Sequence, residues 1–335
     1  MTMRVSVVIP TFNGRGLLAT CLAALFAGTR VPDEVIVVDN ASTDGTEAWL
    51  AQVYPGVRVV QCAANLGFAS ANNLGIHHST GDAIFTLNND ANVAPDALAA
   101  LIRALEDAGA SCGAAMATMV FAHRPEIVAN AGIVVSQNGV AREISVGEQY
   151  DSTVPPFPVF GPSAGAALYR RAALNDVGLF DPAFFLYLED VDLAWRLRLR
   201  QWETVSVPAA SVTHVYSATS GYGSARKAYY LARNRWWCLG KNMPDALLRY
   251  HAAALAAYDT AAVAFAFATG DGASLAGRRQ ALTEHAAIRT ARVRVQATHT
   301  ADIDALNTWL VPSLSPRETL RERARIAALV SGTLA

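Results

Sequence analysis

Val35-Ile36-Val37-Val38-Asp39-Asn40-Ala41-Ser42-Thr43-Asp44-Gly45-Thr46 decides the fold of this 335-residue chain. The apolar β-branched run reads as a strand buried on both faces. A carboxylate ends it, and Ser42, Thr43 and Asp44 then offer caps for a helix beginning at Thr46, with Asp44 the expected cap. A fully apolar strand handing over to a helix is the repeating unit of a parallel sheet covered on both sides. Working outward, the unit recurs. Strands over Val5–Ile9, Val57–Gln61 and Ala83–Leu87 alternate with helices over Arg15–Ala27, Thr46–Tyr54, Ala69–His78 and Ala94–Ala108. This alternation predicts an α/β fold with a mostly parallel sheet flanked by helices.

After about residue 120 the pattern changes. Ile133-Val134-Val135 and Val140-Ala141-Arg142 flank Gln137-Asn138-Gly139, a hairpin turn. The stretch from Tyr150 to Pro162 is rich in proline and polar residues and is expected to be a loop over the site. A helix from about Arg171, another over Asp190–Gln201, and two short strands around Val205 and Val212 follow. From Ser224 onward the chain reads as almost entirely helical, with breaks near Met243-Pro244, Gly270-Asp271-Gly272 and Pro312–Pro316. The division expected is 1–120, 121–242, and a helical C-terminal extension over 243–335.

A net charge of −1 gives no reason to expect a nucleic-acid partner. The four cysteines, Cys21, Cys62, Cys112 and Cys238, are widely spaced, as reduced thiols would be, rather than paired for zinc or a disulfide frame. No basic-then-apolar leader precedes Val5, so no signal peptide is expected. The most apolar long stretch, from Ala252 to Ala268, is mostly alanine, carries Asp259, and falls short of the ~20 strongly apolar residues of a spanning helix. A soluble, cytoplasmic chain is the expectation.

Acids, amides and a histidine gather at strand ends, where open α/β sheets bind ligands. Asp39 reads either as a buried cap or as an acceptor for a base or ribose. Leu87-Asn88-Asn89-Asp90 delivers two amides and a carboxylate. One carboxylate with substrate phosphate oxygens is the usual way to hold Mg²⁺ or Mn²⁺, although Asp90 is also placed to cap a helix near Pro95. His214 follows Val212-Thr213 and is either structural or a second metal ligand. Asn65-Leu66-Gly67-Phe68 opens a helix carrying Asn72 and Asn73. Finally, Phe184-Phe185-Leu186-Tyr187-Leu188-Glu189-Asp190-Val191-Asp192-Leu193 brings carboxylates to the first turn of a helix that is basic further on.

Together with Val7-Val8-Ile9-Pro10-Thr11-Phe12-Asn13-Gly14 and Gly165-Ala166-Ala167-Leu168-Tyr169-Arg170-Arg171, these blocks occur in the order seen in family-two inverting glycosyltransferases. Over residues 4–242 the chain resembles that family's rhamnosyltransferase-like branch, with the GT-A fold. The resemblance implies a nucleotide-sugar donor at the sheet's carboxyl edge, contacted by Pro10, Thr11, Asn13, Asp39, Asn65, Asn72, Asn88 and Asn89. It implies a divalent cation on Asp90 and His214, Asp190 as general base with Glu189 as the fallback, and Asp192 as a structural acid tied to Arg196. Gly165, Tyr187 and Trp236 would meet the acceptor, a glycan or lipid-linked hydroxyl.

Three departures stand against the family pattern. Asn88 replaces the first acid of a DxD-type motif, Gln201 stands where a glycine usually precedes Trp202, and the region beyond 245 matches little. Arg278, Arg279, Arg289, Arg292 and Arg294 in that region read either as parts of a packing lid or as contacts to anionic lipid at the inner face of the cell membrane. The alternatives to a transferase are a silent nucleotide- or glycan-binding protein and a sugar nucleotidylyltransferase. The latter normally has a glycine-rich loop that Thr11-Phe12-Asn13-Gly14-Arg15-Gly16 does not reproduce.

Overall fold

The computed structural model describes residues 3–215 and 224–331. Strands in chain order are β1 (Val5–Thr11), β2 (Glu34–Asp39), β3 (Arg58–Gln61), β4 (Ala83–Leu87), β5 (Ala91–Val93), β6 (Cys112–Phe121), β7 (Arg124–Asn130), β8 (Ile133–Ser136), β9 (Ala141–Glu143), β10 (Phe157–Pro158), β11 (Ala166–Arg170), β12 (Glu203–His214) and β13 (Leu310–Val311). Helices α1 (Arg15–Phe26), α2 (Thr46–Val53), α3 (Gly67–His77) and α4 (Ala97–Asp107) separate the early strands; α5 (Arg171–Val177) and α6 (Glu189–Leu199) precede β12. Seven helices follow: α7 (Ala225–Asn242), α8 (Asp245–Tyr250), α9 (Ala252–Thr269), α10 (Gly272–Thr283), α11 (His285–Ala297), α12 (Ile303–Thr308) and α13 (Pro316–Val330).

The main sheet runs β10-β12-β6-β11-β4-β1-β2-β3, with β5 against β12 and β7 against β6. The β4-β1-β2-β3 segment is parallel throughout, and β12 is parallel to β6. β11 enters antiparallel between β4 and β6. Burial on both faces is why β1, β2 and β4 read as unbroken apolar runs. Val5, Val7 and Ile9 point to the side covered by Leu18, Leu22, Leu98 and Leu101 of α1 and α4. Val8, Ile36 and Val38 point to the side covered by α3, α5 and α6, through Ile76, Leu174, Leu193 and Leu197. A third cluster joins Ile133, Phe160 and Trp195 to Trp237, Leu247, Ile288, Leu306 and Leu310, so the helices after residue 243 share a core with the hairpin and α6.

The expected elements are present, but β5, β6, β7 and β11 were not among them, and four further differences stand out. The two short strands near 205 and 212 are one strand, β12, whose pairing with β6 slips between Val207 and Ser211; Pro208 lies within this bulge, where a missing N–H is tolerated. Phe157–Pro158 of the expected loop pairs with β12 instead, and the following Val159 and Phe160 are buried. The C-terminal region is not wholly helical, because β13 extends the β8–β9 hairpin. Gln201 takes the glycine position with φ 64°, a conformation costing about 1–2 kcal/mol for a residue with a Cβ. Its amide offsets part of this by donating to Thr300.

Asp192 is fully buried between three partners on two helices. Its carboxylate meets Arg196 at 2.8 Å, Lys241 at 2.9 Å and Asn242 at 2.8 Å. Arg196 also donates to the carbonyls of Val177, Gly178 and Leu179, which fixes the turn between α5 and α6. Burial pushes the Asp192 carboxyl up, but Lys241 and Arg196 outweigh it and hold the group below its ordinary value. A depressed folded-state value means that this contribution is present above the unfolded carboxyl value of about 3.9 and is lost as pH falls through the folded value. Asp192→Asn leaves two buried cations under-compensated and should cost about 3–5 kcal/mol at pH 7. Urea unfolding of both proteins at neutral and strongly acidic pH checks this: the gap should be wide at the first and narrow at the second.

Candidate active site

The parallel strands β1, β2 and β4 end on one edge, and their last residues face one another. Thr11 is the register partner of Asp39, and Asn89, just past β4, donates from Nδ2 to Thr11 Oγ1 at 2.9 Å. Asp39 is buried; Oδ1 accepts from the Ser42 amide at 2.8 Å and Oδ2 from Gln61 at 3.2 Å. Asp44 serves both neighbouring helices, accepting from Thr46 and from the Arg15 amide. Asn13 takes φ 51° and accepts from the Thr43 amide at 2.7 Å, clipping the β1 turn to the β2 turn. Pro10 is half-buried beside its register partner Val38.

Asn65 accepts from Asn40 Nδ2 at 3.0 Å and from the Gly67 amide at 2.9 Å, while Asn40 Oδ1 accepts from Leu66 N at 2.7 Å. Asn40 received no role from the sequence, yet this asparagine pair shapes the entry to α3. Asn72 has no exposed surface and donates to the Phe68 carbonyl inside α3. It lies in the helix–sheet packing and leaves no surface for a donor.

Asp90 and His214 meet across two strand ends, Oδ1 to Nε2 at 3.2 Å. β5 begins immediately after Asp90, so the carboxylate does not cap the helix near Pro95. Asn88 Nδ2 lies 3.5 Å from the same His214 nitrogen. Among the described residues no group of three or more His, Cys, Asp and Glu side chains gathers as a metal site, so a cation would rest on two side chains. That pair suits one: neighbouring octahedral ligands at about 2.1 Å from a metal stand about 3 Å apart, close to the separation seen, and such ions complete their shells with water and phosphate oxygens.

Asp190 joins this corner through two consecutive residues. Its Oδ2 accepts from the Ala164 amide at 3.4 Å, and the carbonyl of Gly165 accepts from the Asn88 amide at 2.9 Å. Gly165 packs tightly here, since an added Cβ would stand 3.1 Å from Asn88 Nδ2 and that side chain would have to shift. Asp190 keeps some exposure, whereas Glu189 is 5% exposed and its Oε2 has no hydrogen-bond partner. Burial raises the Asp190 carboxyl, against the Val191 and Ala164 amides and the Ser163 hydroxyl. Burial and then the neighbouring Asp190 charge drive the Glu189 carboxyl well above its ordinary range. Two backbone amides and its remaining exposure favour the charged form at Asp190 over Glu189, whose Oε2 has no partner.

The loop feeding α6 is strained and held from two sides. Phe185, Tyr187 and Leu188 have φ of 60°, 68° and 65°. Asn234 of α7, fully buried, donates from Nδ2 to the carbonyls of Phe184, Leu186 and Tyr187 at 2.8–2.9 Å. At the start of α3, the Phe68 amide donates to the Phe185 carbonyl at 2.7 Å. Gly67 has φ 80°, and an added Cβ would collide with that carbonyl, so glycine is required there on both counts. Tyr187 is half-buried with the Lys227 ammonium 5.5 Å from its ring centre. Trp236 is 37% exposed and lies about 200° around α7 from Asn234, so it is not brought to this loop with Tyr187. Asn234 was missed in the sequence reading; its signal is an amide three and four residues before Trp237 and Cys238, on a buried stripe.

Residues 6–178 match the model of Glycosyl transferase family 2. The N-acetylglucosaminyl-diphospho-decaprenol L-rhamnosyltransferase of Mycobacterium tuberculosis is 30% identical over 278 residues, covering 71% of this chain and 87% of that protein. Among solved structures, GalNAc-T7 with UDP, GalNAc and Mn²⁺ aligns with TM-score 0.57 and 15% identity over 75% of this chain and 54% of that one. The mannosyltransferase PcManGT of Pyrobaculum calidifontis, with GDP-Man and Mn²⁺, gives 0.53 and 21% over 88% of each. Both share the mostly parallel, helix-flanked sheet, and at these identities they speak to fold alone. The family match and the mycobacterial relative carry the conclusion that this chain belongs to glycosyltransferase family 2, on a GT-A fold.

Proposed function

We propose that the chain transfers a sugar, with inversion, from a nucleotide-diphosphate donor to a hydroxyl of a glycan or lipid-linked acceptor, with Asp190 as general base. The observation that carries this reading is the tie through Ala164 and Gly165, which holds the Asp190 carboxylate and the Asn88–Asp90 turn in one corner. A base must sit where the attacking hydroxyl meets the donor carbon, and the diphosphate must lie across that carbon from it.

Asp190 takes the proton as the acceptor oxygen attacks the anomeric carbon. The bond to the diphosphate breaks with its electron pair leaving on the phosphate oxygen, so a single displacement inverts that centre. Proton removal by a positioned carboxylate is worth typically ~10²–10⁴-fold. Thr11, Asp39 and Asn89 line the edge where the nucleoside would lie, while Asn13 and Asn65 hold the turns that frame it. Asp90 and His214 would hold a divalent cation, Mg²⁺ or Mn²⁺, which as a Lewis acid would neutralise charge gathering on the leaving diphosphate. A rhamnosyl donor and a lipid-linked acceptor are supported by the name of the mycobacterial relative, and dTDP-rhamnose or a UDP-sugar is the donor the family resemblance implies. The chemistry is assigned to residues 1–242, and residues 243–335 to support and acceptor delivery at the inner face of the cell membrane.

Asp190→Asn should lower turnover ~10²–10⁴-fold while nucleotide affinity stays within a factor of about two; wild-type turnover would remove Asp190 as base. Asp90→Ala should abolish the part of nucleotide affinity that depends on Mn²⁺, read by calorimetry with and without the ion. For Glu189 the sign is opposite to that of Asp192. A raised folded-state value means that the unfolded chain releases this proton above about pH 4.3 while the folded chain retains it, so stability falls as pH rises through that window. Glu189→Gln should therefore melt higher than wild type at neutral pH, with a lead that shrinks toward pH 4. A variant that melts lower at pH 8 than at pH 5 relative to wild type contradicts a neutral Glu189.

A further inference from the structure

The helix α9 is built inside out. Its single charged residue, Asp259, faces the body, where it pairs with Arg235 of α7 at 2.9 Å and with Arg278 of α10. Of its 18 residues, Ala266 alone is buried, and Phe267 is 71% exposed. Against the expectation that this stretch falls short of a spanning helix, α9 is by length and composition apolar enough to cross a membrane. Its middle is nonetheless pinned to the folded body by the two arginines, so it lies against the protein with its apolar side turned out. An amphipathic helix packed on a soluble body has the reverse polarity.

The two helices that follow carry exposed charge of one sign. On α10 and α11, Arg279, Leu282, Arg289 and Val293 are exposed. The acids between residues 252 and 297 are all engaged internally: Asp259 as above, Asp271 capping α10, and Glu284 on Arg233 and Trp237. A two-fold contact between copies would set these arginines near their own images with no acids to meet them. Apolar side chains among arginines instead suit the headgroup layer of an anionic bilayer.

We infer that α9 to α11 form a bilayer-docking surface, taking an anionic lipid headgroup layer as partner. The inference rests on the lipid-linked reading of the acceptor and gives that acceptor a route to the site. Arg235, which anchors α9, is the neighbour of Asn234, which holds the loop in front of Asp190. Docking on lipid therefore fixes the distance between membrane surface and base through one helix, α7.

The test is co-sedimentation of the full chain with vesicles of mixed phosphatidylglycerol and phosphatidylcholine, and with phosphatidylcholine alone. Binding to the anionic vesicles that weakens with salt is expected. The pair Phe265→Ser and Phe267→Ser should weaken it by about 100-fold, and Arg279→Gln with Arg289→Gln by about fivefold for each arginine. All four side chains are exposed, and an unchanged melting temperature verifies that the variants fold. Equal sedimentation of wild type and variants, or none with either vesicle, overturns the inference. So does a wild-type dimer in analytical ultracentrifugation that the phenylalanine pair converts to monomer, since a second copy would then be the occupant. Turnover on a water-soluble short-chain acceptor is read separately; its loss would count against the transferase reading and not against docking.

Discussion

The buried polar face of α7 is the constraint on which the site depends. Arg233, Asn234, Arg235, Lys241 and Asn242 are all buried, and each holds something outside its own helix. Non-glycine residues at positive φ cost of order 1–3 kcal/mol each, and the loop before α6 has three of them. A net hydrogen bond returns about 0.5–1.5 kcal/mol. The two N–H groups of Asn234, shared among three carbonyls, and the Phe68 amide on the Phe185 carbonyl therefore offset part of that strain. The same helix sends Lys241 and Asn242 to Asp192 at the base of α6. The position of Asp190 is thus set from both sides, by the loop ahead of it and the ion network behind it.

Asp190 and Glu189 are adjacent in sequence and opposite in circumstance. One keeps exposure and accepts two backbone amides; the other is buried with an oxygen unpartnered. The order of the two candidate bases, which the family resemblance implied with Asp190 first, is consistent with this difference in solvation. Asp192, two residues on, is neutralised by cations and serves structure. Three acids in one helical turn therefore hold three distinct electrostatic roles.

β1, β2 and β4 were legible because they are buried on both faces and carry that fact as unbroken apolar runs, as in Val35–Val38, whereas β6 and β11, equally buried but rich in alanine, were not read as strands. The Asp192–Arg196 pair was legible because it lies within one helical turn, whereas Asp44, expected as the cap of α2, precedes the actual N-cap Gly45 and also accepts from the Arg15 amide 29 residues away. The rest was hidden for a common reason: the partners are far away in sequence. Asn234 acts on carbonyls 47–50 residues earlier, Gln201 is supported by Thr300, and Phe157 finds its strand at Ser206. Asp259 read as a break in an apolar run, and only its two arginine partners reveal that the run faces outward.

The central claim is that the strand-end corner holds a nucleoside diphosphate through Asp90 and His214. Thermal unfolding against UDP, dTDP, GDP and CDP, each with and without Mn²⁺, tests it most directly. One diphosphate at about 100 times its Kd should add about 2.7 kcal/mol of stability, and only when the cation is present. No shift with any of the four, or an equal shift without the ion, would contradict it.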